Sequence, residues 1–199
     1  MWPPCLQPYL TSQVEAALAT YEHLLREINT SINLVSRKDI QALREHHILP
    51  SLLLLCLLPI EEGARVLDLG TGGGLPGIPL ALARSDLRFV LVDSVRKKVE
   101  AVQKMIEALR LSERVRAVWG RAEHLSDHFP YIVGRAVAPL PKFLSWARRL
   151  LLPGGRVYYY TGEPLPPIPS SWEATYHPFN SVIAHPYLHS KGILSLRYA

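Results

Sequence analysis

A glycine-rich loop that directly follows a short apolar run is the sequence feature that most constrains the fold. Residues 66–82 read VLDLGTGGGLPGIPLAL, with Gly70, Gly72 and Gly74 in the loop. Glycine adopts positive φ freely and keeps a Cβ out of the path of a ligand. Pro76 suits the first turn of a following helix, where a backbone donor has no intrahelical partner. The stretch therefore predicts a strand, a ligand-binding turn and a helix in succession.

Downstream of residue 60, short apolar strand-like segments alternate with longer amphipathic ones. The predicted strands lie at residues 64–70, 88–93, 115–120, 131–138, 155–162 and 192–199. The predicted helices lie at residues 77–86, 94–111 and 140–151. Such alternation is typical of an α/β fold with a mostly parallel sheet and helices on both faces.

The first sixty residues have a helical pattern instead. Ser12 and Glu15 form a capping-box pattern, and Leu18, Tyr21 and Leu25 then recur at helical spacing. A second helical stretch is predicted from about residue 40 to 58. We predict one domain over residues 1–199, with 1–60 as an α-helical N-terminal cap and 61–199 as the cofactor-binding core.

Two classes of nucleoside cofactor use a loop of this kind. The dinucleotide pattern G-x-G-x-x-G fails from Gly70, because Leu75 stands where the third glycine belongs, and it holds only when shifted to Gly72. The unshifted frame matches D-x-G-x-G-x-G, the loop of class I methyltransferases that bind S-adenosylmethionine, through Asp68, Gly70, Gly72 and Gly74. An acidic residue suits the ammonium and sulfonium groups of that cofactor and would repel a pyrophosphate. The loop therefore favours S-adenosylmethionine.

Residues after the second and third strands extend this predicted site. Asp93 ends the second strand, where a carboxylate accepts hydrogen bonds from ribose hydroxyls in both cofactor classes. Ala122 and Glu123 follow the third strand and are candidates for holding the adenine, mainly through their backbone. No His and Cys cluster has metal-ligand spacing, so we expect no metal site.

Six segments, in this order and spacing, resemble one known family. They read NLVSRKD, HHILPSLLLL, VLDLGTGGGLPGIPLALA, LVDSVRKKVEAVQ, WGRAEHL and GRAVAPL, within about residues 30–162. The chain resembles the bacterial 16S ribosomal RNA (guanine-N7)-methyltransferases, also called glucose-inhibited division protein B. LGTGGGLPGIPLA is the most specific of these strings. The resemblance implies a class I methyltransferase (Rossmann-like) fold.

The resemblance also implies a site and a reaction. The implied cofactor is S-adenosylmethionine, the implied partner is 16S ribosomal RNA, and the implied product is N7-methylguanosine. Cofactor contacts are implied at Gly70, Leu75, Ala122, Glu123 and Arg135, with Asp93 and Ser94 along the ribose. Arg135 is also the candidate catalytic residue, because a guanidinium can bind a carboxylate, a phosphate or a guanine edge.

Three departures from the family pattern leave other functions open. Pro50, Thr161 and Lys191 stand where such proteins commonly have different residues, all on the side expected to face the substrate. One alternative is a non-catalytic methyltransferase-fold module that binds RNA or a nucleoside. Another is a nicotinamide-dependent oxidoreductase, against which Asp68 and the lack of a substrate domain both count.

Composition permits a nucleic-acid partner. Lys and Arg number 22 and Asp and Glu 17, so the net charge of +5 favours polyanions without requiring them. Two cysteines, Cys5 and Cys56, fit a reducing cytosol. The N-terminus lacks a secretory signal, and the apolar run at 49–60 is too short to span a bilayer. We expect a cytoplasmic monomer without membrane contact.

Overall fold

One seven-stranded sheet forms the centre of the computed structural model, which describes residues 2–199 and leaves Met1 outside. Its strands are β1 Arg65–Leu69, β2 Arg88–Asp93, β3 Val115–Trp119, β4 Phe129–Arg135, β5 Leu151–Gly162, β6 Trp172–Pro178 and β7 Lys191–Tyr198. The spatial order is β3-β2-β1-β4-β5-β7-β6. Strands β1 to β5 pair in parallel, and β7 is antiparallel to both β5 and β6. The predicted α/β class with a mostly parallel sheet is confirmed.

Helices cover both faces of this sheet, as predicted. They are α1 Ser12–Asn29, α2 Leu49–Leu57, α3 Gly77–Ala83, α4 Arg96–Ala108 and α5 Leu140–Leu150. Apolar residues of α1 to α4 share one buried cluster with the sheet, and those of α5 share the cluster on the opposite face. The helices of residues 2–60 therefore belong to the layer on this face of the sheet, where α1 packs against α3 and α4 and α2 packs against α3. Among residues 2–199, no helix has both the length and the apolar character needed to cross a membrane.

Two details of the N-terminal region differ from the sequence prediction. Thr11, not Ser12, caps α1, because its Oγ1 accepts a hydrogen bond from the Val14 amide at 3.3 Å. The second helical stretch is not continuous, since a 3-10 turn at Asp39–Ala42 and a π-helical turn at Arg44–Ile48 precede α2. Pro50 lacks an amide hydrogen and crowds the preceding turn, which accounts for the wider π geometry there.

The edge strand β6 was not predicted. Within residues 2–199 only β7 pairs with it, and of its seven residues only Trp172 is buried, so the segment carries little of the apolar signal that marks a buried strand. Trp172 anchors its start by an edge-to-face contact with Tyr198, with ring centroids 5.4 Å apart. The strand extends the sheet on the side away from β3.

Cys5 and Cys56 form a disulfide, which differs from the expectation of reduced cysteines. Cys5 lies in the 3-10 turn Pro4–Tyr9 and Cys56 lies in α2. The two residues are 51 positions apart in sequence, and only the packing of the N-terminal turn against α2 brings them together. Local sequence patterns carry no information on such a pairing.

Candidate functional site

A cavity of about 600 Å³ opens at the carboxyl ends of β1, β2 and β4. This is where ligands bind in open parallel sheets. Its walls come from the glycine loop, the turns after β2, β3 and β4, and the segment of the cap at residues 34–36. Of the predicted site residues, the cavity wall includes Gly70, Gly72, Leu75, Asp93, Ser94, Ala122, Glu123 and Arg135.

The glycines of the loop differ in what surrounds the position of a Cβ atom. Gly70 has φ +78°, and a Cβ there would lie 2.4 Å from Cγ1 of Val137. Gly72 has φ +57° and faces open space, since the nearest atom to a Cβ at this position would be the Leu34 carbonyl oxygen at 3.9 Å. A Cβ on Gly74 would lie 2.5 Å from Cδ1 of Ile78, so Gly74 serves the packing of α3 and does not line the cavity.

Asp68 lies behind the glycine loop, not in the cavity wall. Its fully buried carboxylate accepts hydrogen bonds at Oδ2 from the Thr71 hydroxyl (2.7 Å) and the Gly77 amide (2.9 Å). Its Oδ1 has no partner among residues 2–199. Burial raises the pKa of Asp68 to about 7, against these two hydrogen bonds. Asp68 therefore holds the glycine loop and the start of α3 together from the side opposite the cavity.

Asp93 joins the glycine loop to the start of α4. Its Oδ2 accepts from the Gly72 amide at 3.0 Å, and its Oδ1 accepts from the Val95 amide at 2.9 Å. The side chain is nearly buried and still lines the cavity beside Ser94. Because each carboxylate oxygen accepts more than one hydrogen bond, Asp93 keeps capacity for hydroxyl groups of a ligand.

The turn after β3 forms the far wall of the cavity. Ala122 is buried, whereas Glu123 is exposed and accepts a 3.0 Å hydrogen bond from Nε1 of Trp146. Three cationic side chains, Lys98, Arg121 and Lys142, also line the cavity. This part of the wall therefore combines a buried apolar position with positive charge near solvent.

Arg135 connects the core to the cap. Its guanidinium donates to the carbonyl oxygens of His46 (2.8 Å) and His47 (3.3 Å), and lies 2.8 Å from Nδ1 of His47. Arginine can only donate, so His47 Nδ1 is the acceptor and Nε2 carries the ring proton. Burial first, and the charge of Arg135 second, lower the pKa of His47 to about 3. His47 is therefore a neutral residue in the cavity wall.

Other contacts from the cap to the cavity were not predicted. The buried Tyr21 hydroxyl donates to the Gly73 carbonyl at 2.9 Å. Asn29 Oδ1 accepts from the amides of Leu34 (2.8 Å) and Val35 (2.9 Å), which holds the wall segment 34–36 in place. The family-like string NLVSRKD contains this segment and was the one sequence signal for it.

A second cavity of about 300 Å³ adjoins the first and shares Arg135 and Ala136 with it. Ala136 has φ +51°, a left-handed conformation that alanine rarely adopts. Pro50, Thr161 and Lys191, the three departures from the family pattern, all line this smaller cavity. The structure thus brings together residues that are far apart in sequence.

Comparison with solved structures supports the fold. The S-adenosylmethionine-dependent methyltransferase SibL matches with a TM-score of 0.54 at 19% identity, over 68% of this chain and 50% of that chain. TrmN from Thermus thermophilus matches with a TM-score of 0.53 at 21% identity, over 69% and 45%. The chain has the class I methyltransferase fold.

Sequence comparison is more specific. The family model described as "GidB: rRNA small subunit methyltransferase G" matches residues 14–166. The ribosomal RNA small subunit methyltransferase G of Flavobacterium johnsoniae is 35% identical over 196 residues, which cover 95% of this chain and 93% of that protein. Its counterpart in Chlorobium limicola is 41% identical over 180 residues, covering 88% and 81%. The chain belongs to the GidB family of small subunit ribosomal RNA methyltransferases.

Proposed function

We propose that this protein transfers a methyl group from S-adenosylmethionine to N7 of a guanine in 16S ribosomal RNA. The observation that carries the proposal is the cavity at the glycine loop, in a chain that matches the GidB family over residues 14–166. Ribosomal RNA as the substrate also favours the cytoplasmic location expected from the sequence.

The residues of the larger cavity fit S-adenosylmethionine. Asp93 offers acceptor capacity for ribose hydroxyls, and the backbone at Ala122 and Glu123 would hold the adenine. Gly72 leaves room along the glycine loop for the methionine part, because its Cβ position is open, whereas the Cβ position of Gly70 is filled by Val137. When bound, this cofactor supplies an electrophilic methyl group on a positively charged sulfur.

The acceptor atom requires no general base. Guanine N7 has an in-plane lone pair and no proton, so the protein has only to align the acceptor with the methyl group, which lowers the barrier by proximity. His47 fits this view, because its Nδ1 lone pair is engaged by Arg135 and its Nε2 is protonated. Neither ring nitrogen is free to accept a proton.

Arg135 remains the candidate catalytic residue, with a positioning role in addition. It lines both cavities, and its hydrogen bonds fix the π-helical turn of the cap against the end of β4. Lys98, Arg121 and Lys142 at the larger cavity would contact RNA phosphates, which position a nucleic acid without specifying its sequence.

The test is methyl transfer from labelled S-adenosylmethionine to 16S ribosomal RNA, as naked RNA and as small subunits, taken from cells that lack the modification. We expect label in N7-methylguanosine with the native chain and none with Gly72→Asp. Gly63→Asp is the matched control, since Gly63 also has positive φ (+72°) but has no atom within 4 Å of its Cβ position. Cofactor binding without transfer to either RNA form would instead support the non-catalytic module.

A further inference from the structure

The smaller cavity is placed to receive the methyl acceptor. It meets the larger cavity at Arg135 and Ala136, so a planar group within it lies next to the site assigned to the methyl donor. We propose that this cavity holds the target guanine and that Lys191 donates a hydrogen bond to O6 of the base. The inference rests on the proposed function and extends it to substrate selection.

Tyr187 fixes the position of the Lys191 ammonium group. The His46 ring stacks on Tyr187 with centroids 3.5 Å apart and planes 7° apart, and Lys191 Nζ lies 3.0 Å from the same Tyr187 centroid. Two groups this close to one centroid cannot occupy the same face, so Tyr187 lies between them. Lys191 Nζ also donates to the Tyr187 carbonyl oxygen at 3.0 Å.

This stack is anchored at its other end. Nδ1 of His46 lies 3.1 Å from Oδ1 of Asp39, and the Ser36 hydroxyl donates to Oδ2 of Asp39 at 2.7 Å. Ser36 belongs to the wall of the larger cavity, so one chain of contacts connects the two cavities through the cap. The lysine head is thereby held at the wall by interactions on both sides of Tyr187.

The Lys191 ammonium at this wall favours a guanine over an adenine, because Lys191 can only donate hydrogen bonds. An ammonium has three donors, and the Tyr187 carbonyl uses one of them. On its major-groove edge guanine presents acceptors at O6 and N7, whereas adenine presents an amino donor in place of O6.

Contact at O6 leaves N7 available for the reaction. The N7–methyl bond forms as the sulfur–methyl bond breaks, and the electron pair of the broken bond stays on sulfur. The positive charge passes from the sulfonium to the base, and no proton is transferred. Lys191 thus selects the base without competing for the lone pair that reacts.

The test compares Lys191→Met, which keeps the apolar stem, with Lys191→Arg, which keeps a donor. Single-turnover methyl transfer to 16S ribosomal RNA is measured beside S-adenosylmethionine affinity by calorimetry. We expect Lys191→Met to slow transfer roughly 5- to 150-fold, the range for loss of one base contact, with cofactor affinity within about twofold. Lys191→Arg should recover part of the rate. Lys104→Met, at an exposed position of α4, is the control and should match the native chain.

Tyr187→Leu is a second, independent variant. It removes the aromatic ring that holds the Lys191 ammonium, while residue 191 itself is unchanged. It should also slow transfer and spare cofactor affinity. A transfer rate for Lys191→Met within about twofold of the native rate would overturn the inference. A loss of cofactor affinity as large as the loss of transfer rate would overturn it as well. If the native chain binds the cofactor but methylates no guanine, the proposed function itself fails, and that result is distinct from either outcome.

Discussion

Gly70 meets two physical demands at once, and alanine substitution can separate them. Its φ of +78° lies in the left-handed region, and a Cβ would lie 2.4 and 2.5 Å from the two γ-carbons of Val137. The left-handed conformation costs a non-glycine residue about 1–2 kcal/mol. Forcing a methyl group into a packed position costs a further ~1–3 kcal/mol. We therefore expect Gly70→Ala to lower the free energy of unfolding by roughly 2–5 kcal/mol.

Gly63→Ala isolates the backbone contribution. Gly63 has φ +72°, and no atom lies within 4 Å of its Cβ position. Both substitutions reduce the entropy of the unfolded chain to the same extent, so that effect cancels when the two variants are compared. The difference between them, about 1–3 kcal/mol, measures the clash with Val137.

Urea denaturation followed by circular dichroism provides the free energies. Val137→Ala should restore most of the clash contribution in the Gly70→Ala background, with a coupling energy of about 1–3 kcal/mol. Because Gly70 and Val137 both line the larger cavity, Gly70→Ala should also weaken S-adenosylmethionine binding. Equal losses of unfolding free energy for Gly70→Ala and Gly63→Ala would refute the proposed clash with Val137. Additive effects of Gly70→Ala and Val137→Ala on that free energy would refute it as well.

Other substitutions probe the loop and the link to the cap. The folded-state pKa of Asp68 is raised to about 7, so the folded state holds this proton more tightly than the unfolded chain. As the pH rises from 4 to 8, the free energy of unfolding of the native chain should fall by about 4 kcal/mol relative to that of Asp68→Asn. Parallel pH profiles of the two proteins would contradict this assignment. Gly72→Asp should abolish cofactor binding, because a charged side chain would project into the cavity, and an unchanged dissociation constant would contradict the placement of the site. Arg135→Met should lower the free energy of unfolding by roughly 2–4 kcal/mol, because it removes the hydrogen bonds to the cap. It should also raise the pKa of His47, measured by NMR titration of the ring, since the Arg135 charge helps to lower that pKa. No rise in the His47 pKa would argue against the contact.

Much of the core could be predicted from local patterns. Buried parallel strands are short apolar runs, and the glycine loop must follow the first of them. The order of the parallel strands and the position of the cavity at Gly70, Asp93 and Ala122 were therefore predictable. The edge strand β6 could not be predicted in this way. It pairs with β7 along one edge and is open along the other, so its sequence contains no apolar run.

The contacts between the cap and the core were beyond sequence reasoning. Arg135 reaches His47 across 88 residues of sequence, and Tyr21 reaches Gly73 across 52. A periodic pattern identifies the buried face of a helix but not the element against which it packs. Asp68 shows the same limit, because a loop motif cannot tell a carboxylate in the cavity wall from one buried behind the loop.

Mass spectrometry of nucleosides from 16S ribosomal RNA tests the central claim most directly. The RNA would come from cells with this protein, from cells lacking it, and from cells carrying Gly72→Asp. We predict N7-methylguanosine in the first sample alone, at one guanine. Equal amounts of N7-methylguanosine in all three samples would contradict the proposed reaction.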